Sequence, residues 1–201
     1  MFGYSIVQRG FISAVAATFV SSFAMAQSSN EPTLTIDGLS GGTVVEEPER
    51  QAGEAYVKEN FQDWQLQCVT TESGDDPCQM YQLLKDAQGA PIAEFSIFRL
   101  PEGAEATAGA TIVVPLETSL ERGLTMRVDD GTTKRYPFAF CNTVGCYARV
   151  GLTAEDVEMF KGGAEASMFI VPIAAPDRKV NVTASLSGFT AAFEASSVIN
   201  P

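Results

Sequence analysis

Two stretches of alternating residues decide the fold: residues 61–69 read FQDWQLQCV, and residues 78–86 read CQMYQLLKD. In the first stretch every second residue from Trp64 to Cys68 is a tryptophan, leucine or cysteine, a period that is typical of a half-buried β-strand. A polar loop with a glycine and two aspartates separates the stretches. The pattern predicts a β-hairpin with Cys68 and Cys78 near its base, where a cross-strand disulfide is geometrically reasonable.

Short strands with turn residues between them continue toward the C-terminus. The stretch TIVVPL, residues 111–116, is largely apolar and has Pro115 near its end, so we expect an edge or kinked strand there. Residues 153–162 give the clearest helix, because Thr153 can cap its start and glycines end it. A short closing helix or turn is expected from Phe189 onward. Together these patterns predict an all-β sandwich or barrel of about eight strands, with one or two short helices.

The charge and the residue types exclude several classes of function. The chain has 201 residues, with 13 Lys and Arg against 25 Asp and Glu, and no histidine. Without histidine, neither a Ser-His-Asp or Cys-His catalytic site nor a His-liganded zinc or copper site can form. The excess of negative charge argues against binding to nucleic acid and to anionic lipid surfaces. The composition thus identifies no reaction, and we predict a protein that is not an enzyme and has no catalytic residue, cofactor or metal.

The N-terminus, residues 1–26, has the pattern of a secretory signal peptide. Arg9 precedes a mostly apolar run at residues 10–23, and a small-x-small motif ends at Ala26. The run is short for a membrane span, and serines interrupt it. We predict cleavage after Ala26 and a mature chain without a transmembrane segment, because no later stretch is long and apolar enough. This predicts a location in the periplasm or cell envelope, with the cell surface as an alternative.

The next segment, residues 27–59, has a different composition. It contains seven acidic residues and no aromatic residue before Tyr56. Such a composition buries too little apolar surface to offset chain ordering, so we predict a flexible acidic arm. The arm is either a solvated tail or a tether that binds a partner. The disulfide-stapled β-sandwich is then expected at residues 60–201.

Export changes the interpretation of the four cysteines, because an oxidising compartment favours disulfides. Four cysteines allow three pairings. Cys68 and Cys78 are ten positions apart and Cys141 and Cys146 five, so pairing of neighbours is the simplest hypothesis. A redox function of Cys141 and Cys146 is the alternative, although redox enzymes usually have two residues between their cysteines. A four-cysteine zinc site is disfavoured, because the spacings are wider than usual.

Two charged clusters could form sites. Arg127, Lys134 and Arg135 fall on neighbouring strands of one predicted hairpin, where they would form either a basic patch or a solvated face with surface ion pairs. Asp129 and Asp130 could form part of a cation site with Asp75 and Asp76, but hard cations require six or more converging oxygens. We interpret these two aspartates as part of a solvated turn.

Several motifs follow one another in a fixed order. They are Trp64-x3-Cys68, Cys78-Gln79-Met80, IVVPL at 112–116, Leu120-x2-Gly123-Leu124-x-Met126-x-Val128-Asp129, Pro137-Phe138-x2-Cys141-x3-Gly145-Cys146, and SLSGFTAAFEA at 185–195. With these motifs the chain resembles the invasion-associated locus B family of exported proteins of Gram-negative bacteria, over roughly residues 60–196. It departs from the family pattern at Glu117, where the family commonly has glycine after Pro-Leu.

The resemblance implies an immunoglobulin-like β-sandwich in the periplasm or cell envelope and, in pathogens, an association with host-cell invasion. It implies no catalytic residues. We expect Trp64, Phe138 and Phe189 in the core. Our leading hypothesis is an exported, non-enzymatic envelope protein that binds another protein or an envelope component through an exposed edge strand or loops. The alternatives are a periplasmic thiol-disulfide redox protein that uses Cys141 and Cys146, and a small-ligand carrier with an apolar cavity between the sheets.

Overall fold

The computed structural model describes residues 42–45, 50–86 and 88–200. The predicted signal peptide and most of the predicted acidic arm lie outside these residues. The chain divides into two units, Met1–Glu47 and Pro48–Pro201, and the strands and helices of the described residues belong to the second unit.

Eleven strands and two helices occur in the described part of the chain. In chain order they are β1 (Ala55–Phe61), β2 (Trp64–Val69), β3 (Cys78–Lys85), β4 (Pro91–Arg99), β5 (Ala108–Val114), β6 (Leu124–Val128), β7 (Lys134–Tyr136), β8 (Phe138–Cys141), β9 (Cys146–Leu152), α1 (Ala154–Gly162), β10 (Glu165–Ile170), β11 (Val180–Ser185) and α2 (Phe189–Ala195). A seven-stranded sheet has the order β1-β2-β3-β4-β5-β9-β8, and a four-stranded sheet has the order β11-β10-β6-β7. All pairings within the sheets are antiparallel, and the two sheets share one core, which confirms the predicted β-sandwich with short helices.

The strands outnumber the predicted count of about eight, and two of the additional strands have a clear origin. First, the segment KRYPFAFC, residues 134–141, divides at Pro137 into β7 and β8, which belong to different sheets. Second, β1 begins at Ala55, within the segment that was predicted to be an acidic arm. Most β1 side chains are exposed, so this strand is held by backbone pairing with β2 rather than by an apolar face. The composition of the segment therefore carried no signal for a strand.

The expectation of an edge strand at Pro115 is wrong. Strand β5 lies between β4 and β9 in the middle of the seven-stranded sheet. It ends at Val114, so Pro115 follows the last ladder position and its missing N–H costs the sheet no hydrogen bond. The edges of the two sheets are instead β1 and β8, and β7 and β11.

Trp64 lies at the centre of the core and is fully buried. Its indole Nε1–H donates to the carbonyl of Ser185 at 2.9 Å, which links β2 to the end of β11. The rings of Phe95 and Phe189 meet the indole edge-on, each with a centroid separation of 5.6 Å. Phe138 is half-buried and packs against the same core. Aromatic rings thus occupy the centre of the space between the sheets, where a small-ligand carrier would need a cavity.

Trp64 and the Cys68–Cys78 bond belong to different clusters of buried residues, whereas Cys146 of the other disulfide belongs to the same cluster as Trp64. Cys68 and Cys78 belong with Leu66 to a second, smaller cluster of buried residues. The reason is register: Cys68 is four residues further along β2 than Trp64, which is about 13 Å in an extended strand.

Helix α1 begins as the sequence predicts. Thr153 is its N-cap, and a complete capping box joins the Thr153 side chain to the backbone of Asp156 and the Asp156 carboxylate to the backbone of Thr153. Val157 and Phe160 are the buried apolar residues of this helix. Within the described residues, neither helix is long and apolar enough to cross a membrane.

Candidate functional site

The outward side of the seven-stranded sheet carries one continuous row of side chains. Leu83, Glu94, Val113, Tyr147 and Phe140 are direct cross-strand partners, one from each of β3, β4, β5, β9 and β8. Cross-strand partners on one face have Cβ atoms about 5 Å apart, so neighbouring side chains of this row lie within reach of one another. The row therefore forms one surface that crosses five strands.

A second row lies beside the first. Tyr81, Ser96, Thr111 and Arg149 are partners across β3, β4, β5 and β9. We name the surface formed by both rows and the side chains at their ends the aromatic face. Its residues are Tyr81, Leu83, Ile92, Glu94, Ser96, Phe98, Thr111, Val113, Phe140, Val144, Tyr147 and Arg149.

Aromatic stacking organises one end of the aromatic face. The rings of Phe140 and Tyr147 are stacked, with centroids 4.6 Å apart and planes 14° apart. The guanidinium of Arg149 lies 5.6 Å from the centroid of Phe140, and the side-chain amide of Asn142 lies 3.3 Å from the Tyr147 hydroxyl. Phe140 is still 44% exposed, so the stack presents an apolar ring to a partner.

Two depressions flank this arrangement. One, of about 230 Å³, is lined by Leu83, Ile92, Val113 and Val144, with Glu94 as its charged side chain. The other, of about 560 Å³, lies over β4, β5 and β9 and is lined by Phe98, Leu100, Thr111 and Arg149. Both depressions open on the same outer face, so a partner could insert side chains into either.

The position of Phe98 depends on a glycine in the neighbouring strand. A Cβ atom added at Gly109 would lie 2.5 Å from Cζ of Phe98, which is closer than real contacts allow. The ring therefore lies directly on the backbone of β5. Glycine inside a strand often marks such a close approach, and here it sets the depth of the larger depression.

The aromatic face is nearly neutral, although the chain has a net charge of -12. Glu94 and Arg149 are the charged members, one of each sign. Burial raises the pKa of the Tyr81 hydroxyl above its usual range, and the nearby Glu94 carboxylate raises this pKa further. Aromatic side chains and arginine with little other charge are typical of the centre of protein–protein interfaces.

A disulfide lies beside this face. Cys141 and Cys146 are bonded across β8 and β9, with Cα atoms 4.0 Å apart. The turn between them is stabilised by Asn142, whose side-chain oxygen accepts from the backbone N–H groups of Val144 and Gly145. The other bond joins Cys68 and Cys78, so the pairing in the structure is that of neighbours along the chain. Cys141 is exposed, whereas both cysteines of the other pair are buried.

The predicted basic cluster is divided between two sides of the small sheet. Lys134 forms an ion pair with Asp156 of α1, while Arg127 and Arg135 are exposed on the outward side. The carboxylate of Asp129 accepts hydrogen bonds from the backbone of the turn that precedes β10. In the described residues, no group of three or more cysteine and acidic side chains is placed to hold a metal ion.

Sequence reasoning did not single out the aromatic face. The available signal was that β4 is apolar on both sides. Phe95 and Ile97 face the core, and Phe98 lies on the opposite side. Ile92 alternates with Phe98 but also packs against the core. A strand with one solvated face normally alternates apolar with polar residues. Apolar residues on the second side are therefore a reason to expect a binding surface.

Comparison with known proteins places these features in context. Residues 64–197 match the model of the family described as Invasion associated locus B (IalB) protein. Two proteins of Brucella abortus, each called Invasion protein B homolog, from strain 2308 and from biovar 1 strain 9-941, are 25% identical over 142 residues, which cover 71% of this chain and 80% of theirs. The crystal structure of invasion associated protein b from Bartonella henselae superposes with a TM-score of 0.58 at 19% identity, covering 67% of this chain and 90% of that one.

Proposed function

Because the chain belongs to the invasion-associated locus B family, we propose that it is an exported, non-enzymatic protein of the cell envelope that binds a protein partner through the aromatic face. In a pathogen, this binding would contribute to host-cell invasion. The names of its Brucella relatives support that extension. The observation that carries the proposal is the continuous row from Leu83 to Phe140, which leaves apolar and aromatic side chains on the outer side of a sheet.

Export is supported by the chemistry of the cysteines. All four are disulfide-bonded, and disulfides persist in the periplasm and on cell surfaces but are rare in the cytosol. The predicted signal peptide would deliver the chain to such a compartment. The expected location is therefore the periplasm or the outer surface of the envelope.

A protein is the partner class that fits best, because the face is broad, nearly uncharged and lined by aromatic and apolar side chains. Small ligands usually bind in enclosed pockets, whereas this surface extends over five strands. Tyr147 and Arg149 are of the residue types that supply most binding energy in protein interfaces, and phenylalanine, as at Phe140, is enriched in interface cores. The partner should offer an apolar centre with a cation opposite Glu94 and an anion opposite Arg149.

Site-specific crosslinking in the bacterium that encodes the protein tests this proposal. A photoreactive amino acid would replace Val144 on the aromatic face, which is 67% exposed, or Ile173 on the β10–β11 loop, which is 64% exposed and serves as the matched control. We expect Val144 to give one discrete adduct with a second polypeptide, identified by mass spectrometry. The adduct should disappear when Val113→Glu places a charge in the middle of the row.

Three results would contradict the proposal. The first is the absence of an adduct from Val144, and the second is the same adduct from Ile173. The third is an adduct of twice the chain mass, because it would show self-association in place of a separate partner. Saturable turnover of a small molecule by the purified protein would overturn the non-enzymatic part separately.

A further inference from the structure

The outward side of the four-stranded sheet has a different chemistry. Arg135 of β7 is the partner of Thr125 on β6, and Thr125 is the partner of Phe169 on β10. Arg122 precedes β6 in the chain, and Lys179 precedes β11. The antiparallel register therefore brings two arginines and a lysine around Phe169.

These side chains enclose a depression of about 430 Å³, which we name the cationic cavity. Its principal lining residues are Arg122, Thr125, Arg135, Phe169, Val171 and Lys179. The lining contains three cations, hydroxyl groups and an apolar floor, and it contains no carboxylate. This combination is unusual for a chain with a net charge of -12.

The cations of the cavity are not neutralised by neighbouring carboxylates. In the described residues, the ion pairs are Lys134 with Asp156 and Lys161 with Glu158, and neither involves a lining residue. Acidic residues do occur in the adjoining loops, at Glu117, Glu121 and Asp177, but none of them lines the cavity. The positive charge is therefore available to a ligand.

Local contacts position two of the three cations, Arg135 and Lys179. Gly123 has a positive φ of 65°, and a Cβ added there would lie 2.7 Å from the carbonyl oxygen of Tyr136 and 3.2 Å from Cγ of Arg135. The aliphatic part of Arg135 thus packs over a glycine that no other residue could replace without strain. The ammonium of Lys179 lies 4.9 Å from the centroid of Phe169, within the range of a cation–π contact.

We propose that the cationic cavity binds a phosphate ester whose alcohol part is a small polar group such as a sugar. Arginine recognises phosphate through paired N–H donors, and lysine adds a point charge. Threonine hydroxyls can bond the remaining oxygens, while Phe169 and Val171 offer a surface for the carbon atoms of the ester. The volume lies within the range of known small-ligand sites.

Titration calorimetry of protein purified from the envelope tests this assignment, with glucose 1-phosphate and inorganic phosphate as probes. We expect saturable binding that is tighter for glucose 1-phosphate, because only the ester uses the apolar floor. Arg135→Gln and Lys179→Gln should each weaken the affinity about tenfold or more, as expected for a lost charge-assisted hydrogen bond. Phe169→Leu should weaken binding of the ester but not of inorganic phosphate.

Arg149→Gln is the matched control, because it removes the same charge from the aromatic face. Absence of saturable binding by both probes, or an equal loss in Arg149→Gln, would overturn the proposal.

Vesicles with and without phosphatidylglycerol distinguish the source of the ester. Binding that requires this lipid and depends on Arg135 identifies a lipid headgroup, and binding of the soluble ester alone identifies a free metabolite; both agree with a phosphate-ester site.

This site is independent of the proposed protein partner. Arg135→Gln leaves the aromatic face unchanged, so the crosslink from Val144 should persist in that variant. The two proposals can therefore fail separately.

Discussion

The two outer faces of the sandwich differ in chemistry although they belong to one core. The aromatic face of the seven-stranded sheet presents stacked rings and apolar side chains with one charge of each sign, Glu94 and Arg149. The four-stranded sheet presents a concave surface with three cations. The net charge of the chain therefore gives the local charge of neither face. Charge composition that argues against anionic ligands for a whole chain thus does not apply to a single sheet face.

The two faces also differ in the structural elements that stabilise them. The aromatic face rests on central strands, on the Cys141–Cys146 bond and on glycines at positions where backbones approach closely. The cationic cavity depends on β7, a strand of three residues that is attached to α1 through Lys134 and Asp156. Because the supports are separate, it should be possible to perturb one face and preserve the other.

Gly145→Ala is the variant that should affect the two faces most differently. A Cβ at this position would lie 2.4 Å from the carbonyl oxygen of Val114 and 3.0 Å from a methyl carbon of Val113. Val114 belongs to the central strand β5, which cannot move away without breaking ladders on both sides. We expect the free energy of unfolding to fall by about 3 kcal/mol, measured by urea denaturation, as for an overpacked site.

Gly162→Ala is the control for this change, because a Cβ there would meet no atom within 4 Å. It should leave the free energy of unfolding within about 0.5 kcal/mol of the original value. In Gly145→Ala the Val144 crosslink should also be lost, while binding of glucose 1-phosphate is kept. Equal stability of the two variants would show that the turn between β8 and β9 is free to shift, and that the aromatic face is not rigidly supported.

The second largest effect is expected from removal of the neighbouring disulfide by Cys141→Ser with Cys146→Ala. The bond closes a short loop, which corresponds to about 2 kcal/mol in the chain-entropy model. The loss should loosen the Phe140–Tyr147 stack and weaken the Val144 crosslink, without affecting the cationic cavity. Urea denaturation and the two binding assays measure these effects.

Graded reduction tests whether the disulfide beside the aromatic face is more accessible than the buried disulfide. Cys141 is exposed, whereas Cys68 and Cys78 are buried, so the Cys141–Cys146 bond should open first when alkylation is followed by intact mass. Resistance of both bonds to mild reductant would remove the redox alternative. Opening of the buried bond first would contradict the assignment of Cys141–Cys146 as the accessible one.

Local sequence patterns predicted most of the fold. The hairpin of Trp64 and Cys68 with Cys78, and the capped helix after Thr153, depend on period and on capping chemistry, which neighbouring residues determine. The prediction at Pro115 was wrong because the sequence alone does not show whether a proline lies within a strand or directly follows the strand. Strand β1 was missed because its partner, and not its own side chains, makes it a strand.

The two outer faces could not be predicted, because they depend on register between strands that are distant in sequence. Lys134 and Arg135 are adjacent and equally charged, but successive side chains of a strand point to opposite faces of the sheet. Lys134 therefore pairs with Asp156, whereas Arg135 lines the cationic cavity. Arg122 and Lys179 are 57 positions apart (179 minus 122) and meet only through the pairing of β6, β10 and β11. Two partial signs of these surfaces were present in the sequence: the apolar residues on both sides of β4, and the basic residues of the β6–β7 hairpin, of which Arg135 lines the cationic cavity.

The smallest expected effect concerns the support of the cationic cavity, tested by Asp156→Asn. Burial raises the pKa of the Asp156 carboxyl, but hydrogen bonds from Lys134 and Thr153 outweigh burial and hold this pKa below its usual range. The Asp156 side chain is 5% exposed and that of Lys134 41%, so solvent screens part of the interaction. We expect the free energy of unfolding to fall by about 1 kcal/mol at pH 7.

The pH dependence of this loss identifies its cause. A carboxyl whose pKa is lower in the folded state stabilises the protein above its unfolded pKa of about 4, and this contribution disappears as the pH falls through the folded value. The difference between the original chain and Asp156→Asn should therefore be constant from neutral pH down to about pH 5 and should shrink below about pH 4. Glu158→Gln, which removes an exposed i,i+3 pair with Lys161 on the same helix, should change stability by at most about 0.5 kcal/mol. A difference for Asp156→Asn that persists undiminished at pH 3 would assign its effect to packing, and the attachment of β7 to α1 would then not depend on charge.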